Sequence, residues 1–485
     1  METQQHTVKV NLCGGVVSAG DLYEILLIAQ RAGATEVCFG TRQQLFFNIN
    51  SNMLEDLEYS MLAAAINYEL NADQRPNMVS SYVADTIFNS EGWLTEGVYK
   101  DIFDLFTHQP QVKINLVDSS QTFVPFFTGN LNFISSAISN YWYLYVRFPK
   151  TNQICCCPVL IYSDDIPEAS KKIEQLIFHH KDEFYEQLNV NELRFFELLK
   201  ERVGFSQPVT DKLILPDFQL PYYEGFNKHG NKLWLGIYRR NEYFSIDFLT
   251  DVCQLCLQTR IGQLYITPWK SLLIKNIDNN DKSAWGRLLN KHRLNVRHAA
   301  NELNWQTEDQ CREGLELKKQ LVREFEEADL RTYRLCFAIK TQARSGLFGS
   351  IILKKRDADW DVMYTRDFNP NSKDFVTYKK RVPRNGLSKS LEELCQLYYN
   401  FYSDNEPDIA VTGKADNTYG SLPDTKQVYQ CVHCLSIYDD AYGDELKGIA
   451  AGTDFNVLND YDCPVCSAPK QDFILINWSV TTQSL

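Results

Sequence analysis

Four cysteines near the end of the chain have the spacing of a metal site. Cys431 and Cys434 form one Cys-x-x-Cys pair, Cys463 and Cys466 form a second, and 28 residues separate the two pairs. Two such pairs can bring four thiolates to the corners of a tetrahedron, a geometry that suits zinc or iron. Composition alone favours a structural zinc ribbon, and four unligated cysteines are the other alternative. These four residues are the predicted metal ligands.

The surroundings of both pairs resemble the rubredoxin family. The matching segments are Cys431–Cys434, Ile437–Asp439, Gly443–Asp444, Gly448–Ile449, Gly452–Phe455 and Cys463–Cys466, with Lys470 and Phe473. The resemblance implies one iron, held by the four cysteines, that carries single electrons between ferric and ferrous states. A domain this short needs an aromatic core beside its metal. We expect that core to consist of Tyr429, Tyr438, Phe455, Tyr461 and Phe473.

The chain departs from the family's pattern beside the ligands. Leu435 and Ser467 stand where the family usually has glycine after each pair, and Tyr461 replaces the usual tryptophan. A left-handed residue other than glycine costs roughly 1 kcal/mol or more. We therefore expect displaced amide hydrogen bonds to sulfur and an altered reduction potential. His433, between two ligands, is interpreted as a solvated surface residue.

A weak internal repeat organises the longer N-terminal part. Ser18–Ile49 predicts a helix, a turn and two strands joined by Thr41-Arg42-Gln43, and Ser245–Ile277 repeats this plan with Thr267-Pro268-Trp269-Lys270 at the junction. The step along the chain from Asp21 to Asp247 equals that from Thr41 to Thr267, which predicts a repeat without insertions. These segments resemble the ferredoxin-like half-domains of sulfite and nitrite reductases, the siroheme enzymes, over residues 8 to 400.

This second resemblance implies a cofactor role for two residues. Arg42 would contact the carboxylates of siroheme, and Lys270 is a further candidate for cofactor binding. The alternative is that Thr41 and Thr267 simply end strands in a pseudo-twofold scaffold.

The family also holds an iron–sulfur cluster through four cysteines in two close groups, and this chain does not supply that pattern. After the second repeat, the next cysteines are Cys311 and Cys336, which 24 residues separate. The adjacent Cys155–Cys157 would alternate between the faces of a strand. Cys253 and Cys256 are predicted to be buried thiols on a helix. We therefore predict a body without such a cluster, and siroheme is not expected.

Length and composition indicate a multi-domain globular protein. The chain has 485 residues, of which 44% are hydrophobic and 23% charged. Its net charge of −13 argues against a nucleic-acid partner, and no apolar run is long enough for a membrane span. The cysteine usage and the missing signal sequence favour a reducing cytoplasm.

The predicted fold class is α+β, with a pseudo-twofold body of ferredoxin-like half-domains and mixed α/β layers and a small C-terminal rubredoxin fold. The predicted boundaries are 1–75 for the first half-domain, 76–215 for a mixed α/β domain, 216–290 for the second half-domain, 291–405 for a second α/β domain, 406–427 for a linker and 428–478 for the rubredoxin domain.

Three functions fit these patterns. The preferred one is electron transfer by a rubredoxin centre tethered to a degenerate reductase-like docking body, without catalytic residues of its own. The alternatives are a siroheme-dependent nitrite or sulfite reductase fed by its own rubredoxin, and a binding module stabilised by zinc. The expected partner is a redox protein, either donor or acceptor, and the family resemblance points to nitrate, nitrite or sulfite assimilation.

Charge is unevenly distributed along the chain. Residues 428–476 contain eight acidic and two basic residues, a net charge of −6, whereas Lys379, Lys380, Arg381 and Arg384 form a basic run before the linker. Opposite charges on two surfaces favour encounter. We hypothesise that the acidic residues of 428–476, here called the acidic face, dock on this run or on a basic partner. The alternative is that their charge only keeps the domain soluble.

Overall fold

A computed structural model describes ten segments of the chain, which fall into two units. The units comprise residues 1–405, here called the body, and residues 406–485, here called the C-terminal unit. The described residues are 5–88, 92–151, 153–187, 189–200, 206–343, 345–405, 425–433, 436–444, 447–464 and 466–479. The predicted linker 406–427 lies outside them up to residue 424, and residues 425–427 belong to a strand.

The first half of the body contains the following elements. Its strands are β1 (Gln5–Asn11), β2 (Val16–Ser18), β3 (Glu36–Phe39), β4 (Gln44–Asn50), β5 (Tyr68–Leu70), β6 (Val79–Ser80), β7 (Ile114–Val117), β8 (Leu131–Ser135), β9 (Tyr141–Arg147), β10 (Ile154–Cys156), β11 (Val159–Tyr162) and β12 (Ser206–Pro208). Its helices are α1 (Ala19–Arg31), α2 (Leu54–Ala63), α3 (Glu96–Asp104), α4 (Ile166–His179), α5 (Lys181–Phe184) and α6 (Glu192–Lys200).

The second half of the body continues the same alternation. Its strands are β13 (Gly225–His229), β14 (Lys232–Ile237), β15 (Tyr243–Ser245), β16 (Gln263–Ile266), β17 (Leu272–Asp278), β18 (Trp305–Thr307), β19 (Phe337–Lys340), β20 (Ile351–Arg356), β21 (Asp359–Thr365) and β22 (Phe375–Val382). Its helices are α7 (Ile246–Gln258), α8 (Lys282–Lys291), α9 (Arg312–Glu327) and α10 (Leu387–Asn405).

Two half-domains of the body share one element order, β2–α1–β3–β4–α2 and β15–α7–β16–β17–α8. They also exchange strands. Strand β15 completes the first sheet, β15-β3-β4-β1-β5, and β2 completes the second, β13-β14-β17-β16-β2. Helices α1 and α7 pack together, and their apolar faces belong to one continuous core. The predicted pseudo-twofold arrangement is thus present, with each half-domain finished by a strand of the other.

Before β4 and β17, equivalent positions of the repeat lie one residue further apart than predicted. Ser18 and Ser245 cap α1 and α7 in the same way, each accepting a hydrogen bond from the backbone N–H three residues later. The predicted spacing would instead pair Ser18 with Phe244, and it is therefore wrong by one residue. With the serines paired, Lys270 corresponds to Gln43, and both adopt a left-handed backbone, with φ of 55° and 60°.

The two α/β layers of the body also correspond to each other. In one sheet β6, β7 and β8 are parallel and β9 is antiparallel, and in the other β18, β19 and β20 are parallel and β21 is antiparallel. Apolar residues of α9 and α10 recur at intervals of three and four and bury one face of each helix in the core of the second sheet. The predicted fold class is confirmed.

The C-terminal unit is a three-stranded sheet with the order β24-β23-β25, accompanied by short helical turns. Its strands are β23 (Thr425–Cys431), β24 (Ile437–Tyr438) and β25 (Phe473–Ser479). Both neighbours pair antiparallel to β23, so that Cys431 lies at the end of the central strand. Within the described segments of the whole chain, no helix has the length and apolar character needed to span a membrane.

Candidate metal centre

Three of the four predicted ligands converge in the C-terminal unit. The sulfur atoms of Cys431, Cys463 and Cys466 all lie within 4.8 Å of one another, and those of Cys431 and Cys466 are 3.6 Å apart. Tetrahedral thiolate sites have metal–sulfur bonds of about 2.3 Å, which places the sulfur atoms roughly 3.8 Å apart. The three thiols therefore fit one metal ion, and Cys434, the fourth predicted ligand, lies outside the described residues.

Backbone hydrogen bonds form two similar knuckles around the thiols. The N–H of Cys431 donates to the carbonyl of Ser436 (2.9 Å), and the N–H of Cys463 donates to that of Ala468 (2.8 Å). Ser467 has φ of 58° and donates its N–H to the carbonyl of Cys463. The left-handed conformation expected at this position is thus present without a glycine, and Leu435 lies outside the described residues.

A small aromatic core covers one side of the site. Tyr438, Phe455, Tyr461 and Phe473 are buried together with the two cysteines Cys431 and Cys463, and Tyr429 stacks on Phe455 with ring centroids 4.2 Å apart. The predicted aromatic core is confirmed. The three thiols are unequal, because Cys431 and Cys463 are 0% and 1% exposed whereas Cys466 is exposed.

Charged and polar groups surround the site. Tyr461, in the place of the family's tryptophan, donates a 2.9 Å hydrogen bond to Asp444, and burial together with this carboxylate raises the pKa of Tyr461. Asp462 pairs with Lys447 at 2.8 Å. His433 has a 59% exposed side chain and lies 2.9 Å from Asp472. The solvated position predicted for His433 is confirmed, with an acidic neighbour that the sequence does not indicate.

Arg42 is buried in the body and bonded to the protein itself. Its guanidinium donates to the carbonyls of Asn77 (2.7 Å) and Ile114 (3.0 Å) and to the side chain of Asn115 (3.2 Å). Its Nε atom is buried and has no hydrogen-bond partner among the described residues. Through these hydrogen bonds Arg42 anchors the Thr41-Arg42-Gln43 loop to the neighbouring α/β layer. The N–H of its Nε atom is the donor that these bonds do not use.

Lys270 lies in a buried ionic network. Its ammonium group is 2.6 Å from Glu242 and 3.7 Å from Asp309, and it donates to Thr307 and to the carbonyl of Glu308. Burial alone would lower the pKa of Lys270, but Glu242 and Asp309 raise it above the ordinary value. The lysine is thus charged and already paired, and Arg42 and Lys270 share no hydrogen-bond or ion-pair partner among the described residues.

A cavity of about 230 Å³ lies beside Arg42, and sequence reasoning does not predict it. Arg42 and Lys113 line it, with Asp73, Glu308 and Asp309. Burial and neighbouring cations, Arg42 among them, lower the pKa of Lys113 to about 8. Arg147 also contributes to lowering the pKa of Arg42, Lys113, Lys340 and Lys373, and we call these five cations the basic cluster. Its members come from distant segments, so no local motif indicates the cluster.

The other cysteines are dispersed through the body. Cys253 and Cys256 are buried on α7, as predicted, and burial raises the pKa of both thiols. Cys155 and Cys157 are buried whereas Cys156 is exposed, which agrees with the predicted alternation along a strand. Among the residues that the structure describes, Cys431, Cys463 and Cys466 are the one group of three metal-ligand side chains with converging atoms.

The basic run before the linker is partly neutralised within the body. Lys379 forms an ion pair with Glu393, and Arg381 lies 3.6 Å from Asp357. Arg384 donates to the side chain of Gln320. The run therefore presents less positive charge than its sequence suggests.

Two thiolate knuckles over a small aromatic core define a metalloprotein of the single-ion type. Residues 428–473 match the rubredoxin family. The rubredoxin of Acinetobacter baylyi is 45% identical over 49 residues, which are 10% of this chain and 91% of that protein. The chain belongs to the rubredoxin family through its C-terminal unit, and this supports iron bound by the cysteines and a redox role.

Longer relatives are matched only in part. Rubredoxin-1 of Pseudomonas putida is 50% identical over 46 residues, 9% of this chain and 26% of that protein, so the chain spans about a quarter of the first curated relatives' length. The solved structure of the Mycobacterium tuberculosis NirA protein is similar with a TM-score of 0.61 and 15% identity, over 83% of this chain and 82% of that one. This similarity shows that the two proteins share a fold over most of their length.

Proposed function

We propose that this chain is an electron-transfer protein in which Cys431, Cys434, Cys463 and Cys466 hold one iron. The convergence of three thiols within 4.8 Å carries this proposal. When bound, the iron supplies a one-electron change between ferric and ferrous states. Cys431 and Cys463 are buried, while the exposed Cys466 offers a path for the electron to a partner.

The body, on this proposal, is a docking platform descended from a reductase-like fold. The internal bonding of Arg42 and the pairing of Lys270 support this view, because both side chains are already engaged. The dispersed cysteines of the body support it as well. The partner is a redox protein, a donor or an acceptor, with an enzyme of nitrate, nitrite or sulfite assimilation as the first class to test.

The basic cluster favours a second candidate function, a siroheme-dependent reductase. An anionic ligand with several carboxylates would compensate the cations around the cavity beside Arg42 and would engage the Nε donor of Arg42. Arg42 would then hold a carboxylate of siroheme, and Lys270 would be a cofactor-binding residue that also belongs to its ionic network. A third candidate, a zinc-stabilised binding module, uses the same four cysteines without redox work.

Visible absorption and metal analysis of the purified full chain separate the three candidates. We expect one iron per chain, a ferric thiolate spectrum that bleaches on reduction, and neither acid-labile sulfide nor an extractable tetrapyrrole. Stoichiometric zinc from iron-replete cells would contradict the electron-transfer proposal and favour the binding module. Stoichiometric siroheme and sulfide would instead favour the reductase.

The acidic face is expected to control the approach of charged reductants. Reduction of the ferric protein by dithionite, an anion, should accelerate as salt rises, and reduction by reduced methyl viologen, a cation, should slow. Asp460 is exposed, whereas Asp462 is partly neutralised by Lys447. In Asp460→Lys, the rates of reduction measured by stopped flow at low salt should therefore change about threefold or more, in opposite directions for the two reductants.

Asp56→Lys is the matched control, because it makes the same change of net charge on an exposed residue of α2 in the body. It should leave both rates near those of the unmodified protein. If neither salt nor Asp460→Lys changes the reduction rates, the acidic face has no role in the encounter with charged reductants.

A further inference from the structure

A serine hydroxyl contacts one of the ligand sulfurs. The Oγ atom of Ser436 lies 3.0 Å from the Sγ atom of Cys463, and the contact is partly shielded from water. Ser436 is also fixed in place, because its carbonyl accepts the 2.9 Å hydrogen bond from the N–H of Cys431 and the next residue begins β24. The contact therefore belongs to the knuckle itself.

The hydroxyl is present in one knuckle and not in the other. Ala468 holds the corresponding place in the second knuckle, where its carbonyl accepts from the N–H of Cys463, and alanine has no donor in its side chain. Cys431 and Cys463 are the two buried thiols, at 0% and 1% exposed. A polar contact to a buried sulfur acts in a low dielectric, where it is electrostatically stronger than at the surface.

We infer that Ser436 sets the reduction potential of the centre by donating a hydrogen bond to the sulfur of Cys463. This inference rests on the proposed one-iron centre. A metal-bound thiolate carries no proton and can only accept, so the hydroxyl must be the donor. Reduction adds negative charge that the sulfurs share, and the hydrogen bond therefore stabilises the ferrous state more than the ferric state.

Removing the hydroxyl should make the protein harder to reduce. In Ser436→Ala the ratio of ferrous to ferric protein at a fixed applied potential should fall by up to about tenfold, which for a one-electron couple corresponds to about 59 mV. Spectroelectrochemical titration of the iron-loaded full chain measures this shift. The sulfur-to-iron absorption bands should also move, because the donor strength of Cys463 changes.

Ser436→Thr and Ser436→Val form a second pair, since threonine and valine have nearly the same shape and differ in the hydroxyl. The threonine variant should have the higher potential of the two, even if the alanine variant takes up iron poorly. Thr453→Ala is the control, because the Thr453 hydroxyl donates to the carbonyl of Ala450, away from the ligand sulfurs. Its potential should equal that of the unmodified protein.

Failure of the role inferred for Ser436 can be distinguished from failure of the proposed one-iron centre. Iron-loaded Ser436→Ala or Ser436→Val with an unchanged potential would overturn the role of Ser436 and leave the one-iron centre standing. Zinc in place of iron in the unmodified protein would overturn the proposed centre and this role together.

Discussion

Cys431→Ser is expected to abolish the iron colour and to unfold the C-terminal unit while the body stays folded. Cys431 is fully buried and joins the central strand β23 to the metal site. Metal binding contributes about 10–16 kcal/mol of apparent folding free energy in zinc-finger peptides, which are small metal-dependent domains of the same kind. A unit of this size has too little apolar core to replace such a contribution.

Iron content, visible absorption and thermal unfolding of the full chain test this expectation. The variant should lack one unfolding transition and keep the transition of the body, because contacts divide the chain into two separate units. Cys434→Ser should behave in the same way, which would assign the fourth ligand. Cys156→Ser, at an exposed cysteine of the body, is the matched control and should keep both the iron and the transitions. Full iron content in Cys431→Ser would contradict the assigned ligand set.

Glu242→Gln is expected to destabilise the body by about 3–5 kcal/mol, because it removes the counter-charge that two buried lysines share. The carboxylate of Glu242 lies 2.6 Å from Lys270 and 3.8 Å from Lys318. The side chain of Glu242 is 9% exposed, and those of Lys270 and Lys318 are 4% and 2% exposed. Thr307 donates a further hydrogen bond to Glu242 at 3.2 Å. Glutamine keeps the shape of the side chain and removes its charge.

The effect of Glu242→Gln should depend on pH. Burial alone would raise the pKa of Glu242, but Lys270 and Lys318 lower it below the ordinary value of 4.5. A lowered carboxyl pKa stabilises the folded state fully above the unfolded-state value, and this stabilisation is lost as the pH falls through the folded-state pKa. The difference in free energy of unfolding between the unmodified protein and Glu242→Gln should therefore be largest near neutral pH and should decrease in acid.

Urea unfolding followed by tryptophan fluorescence measures this difference, since seven of the eight tryptophans lie within residues 1–405. Asp278→Asn is the control, because Asp278 pairs with Lys232 on the surface, with side chains 52% and 45% exposed. We expect it to cost about 0–1 kcal/mol. A loss of the same small size in Glu242→Gln would show that the network adds little to stability.

Local spacing makes the metal centre predictable from sequence. The two cysteines of each pair are separated by only two residues in the sequence, so residue type and spacing indicate a knuckle, and the residues of the aromatic core are found nearby in the sequence. The hydroxyl of Ser436 beside Cys463 is different, because 26 residues separate them and only the closed fold brings them together. A polar residue next to a ligand pair is the one signal that could have indicated it.

Long-range contacts explain what sequence does not predict in the body. The basic cluster joins residues as distant as Arg42 and Lys373, and Lys270 pairs with Glu242, which lies 28 residues before it in the sequence.

The error in the repeat has a local cause. Identical residue types, such as Thr41 and Thr267, suggest one spacing, whereas the capping serines of α1 and α7 set another. The junction between β16 and β17 is also one residue longer than that between β3 and β4, so no single spacing fits both sides of the junction. Because the predicted repeat aligned Thr41 with Thr267, it placed Lys270 opposite Gln44 instead of Gln43.

The reciprocal exchange of β2 and β15 also determines when the first half-domain can be completed during protein synthesis. The edge of β3 is available once residue 39 has left the ribosome, but its partner, Tyr243–Ser245, is made about 200 residues later. At roughly 5–20 residues per second this takes on the order of 10–40 s. An unpaired edge strand attracts other strands. The edge of β3 thus stays without β15 during this time, and the two half-domains cannot mature one after the other.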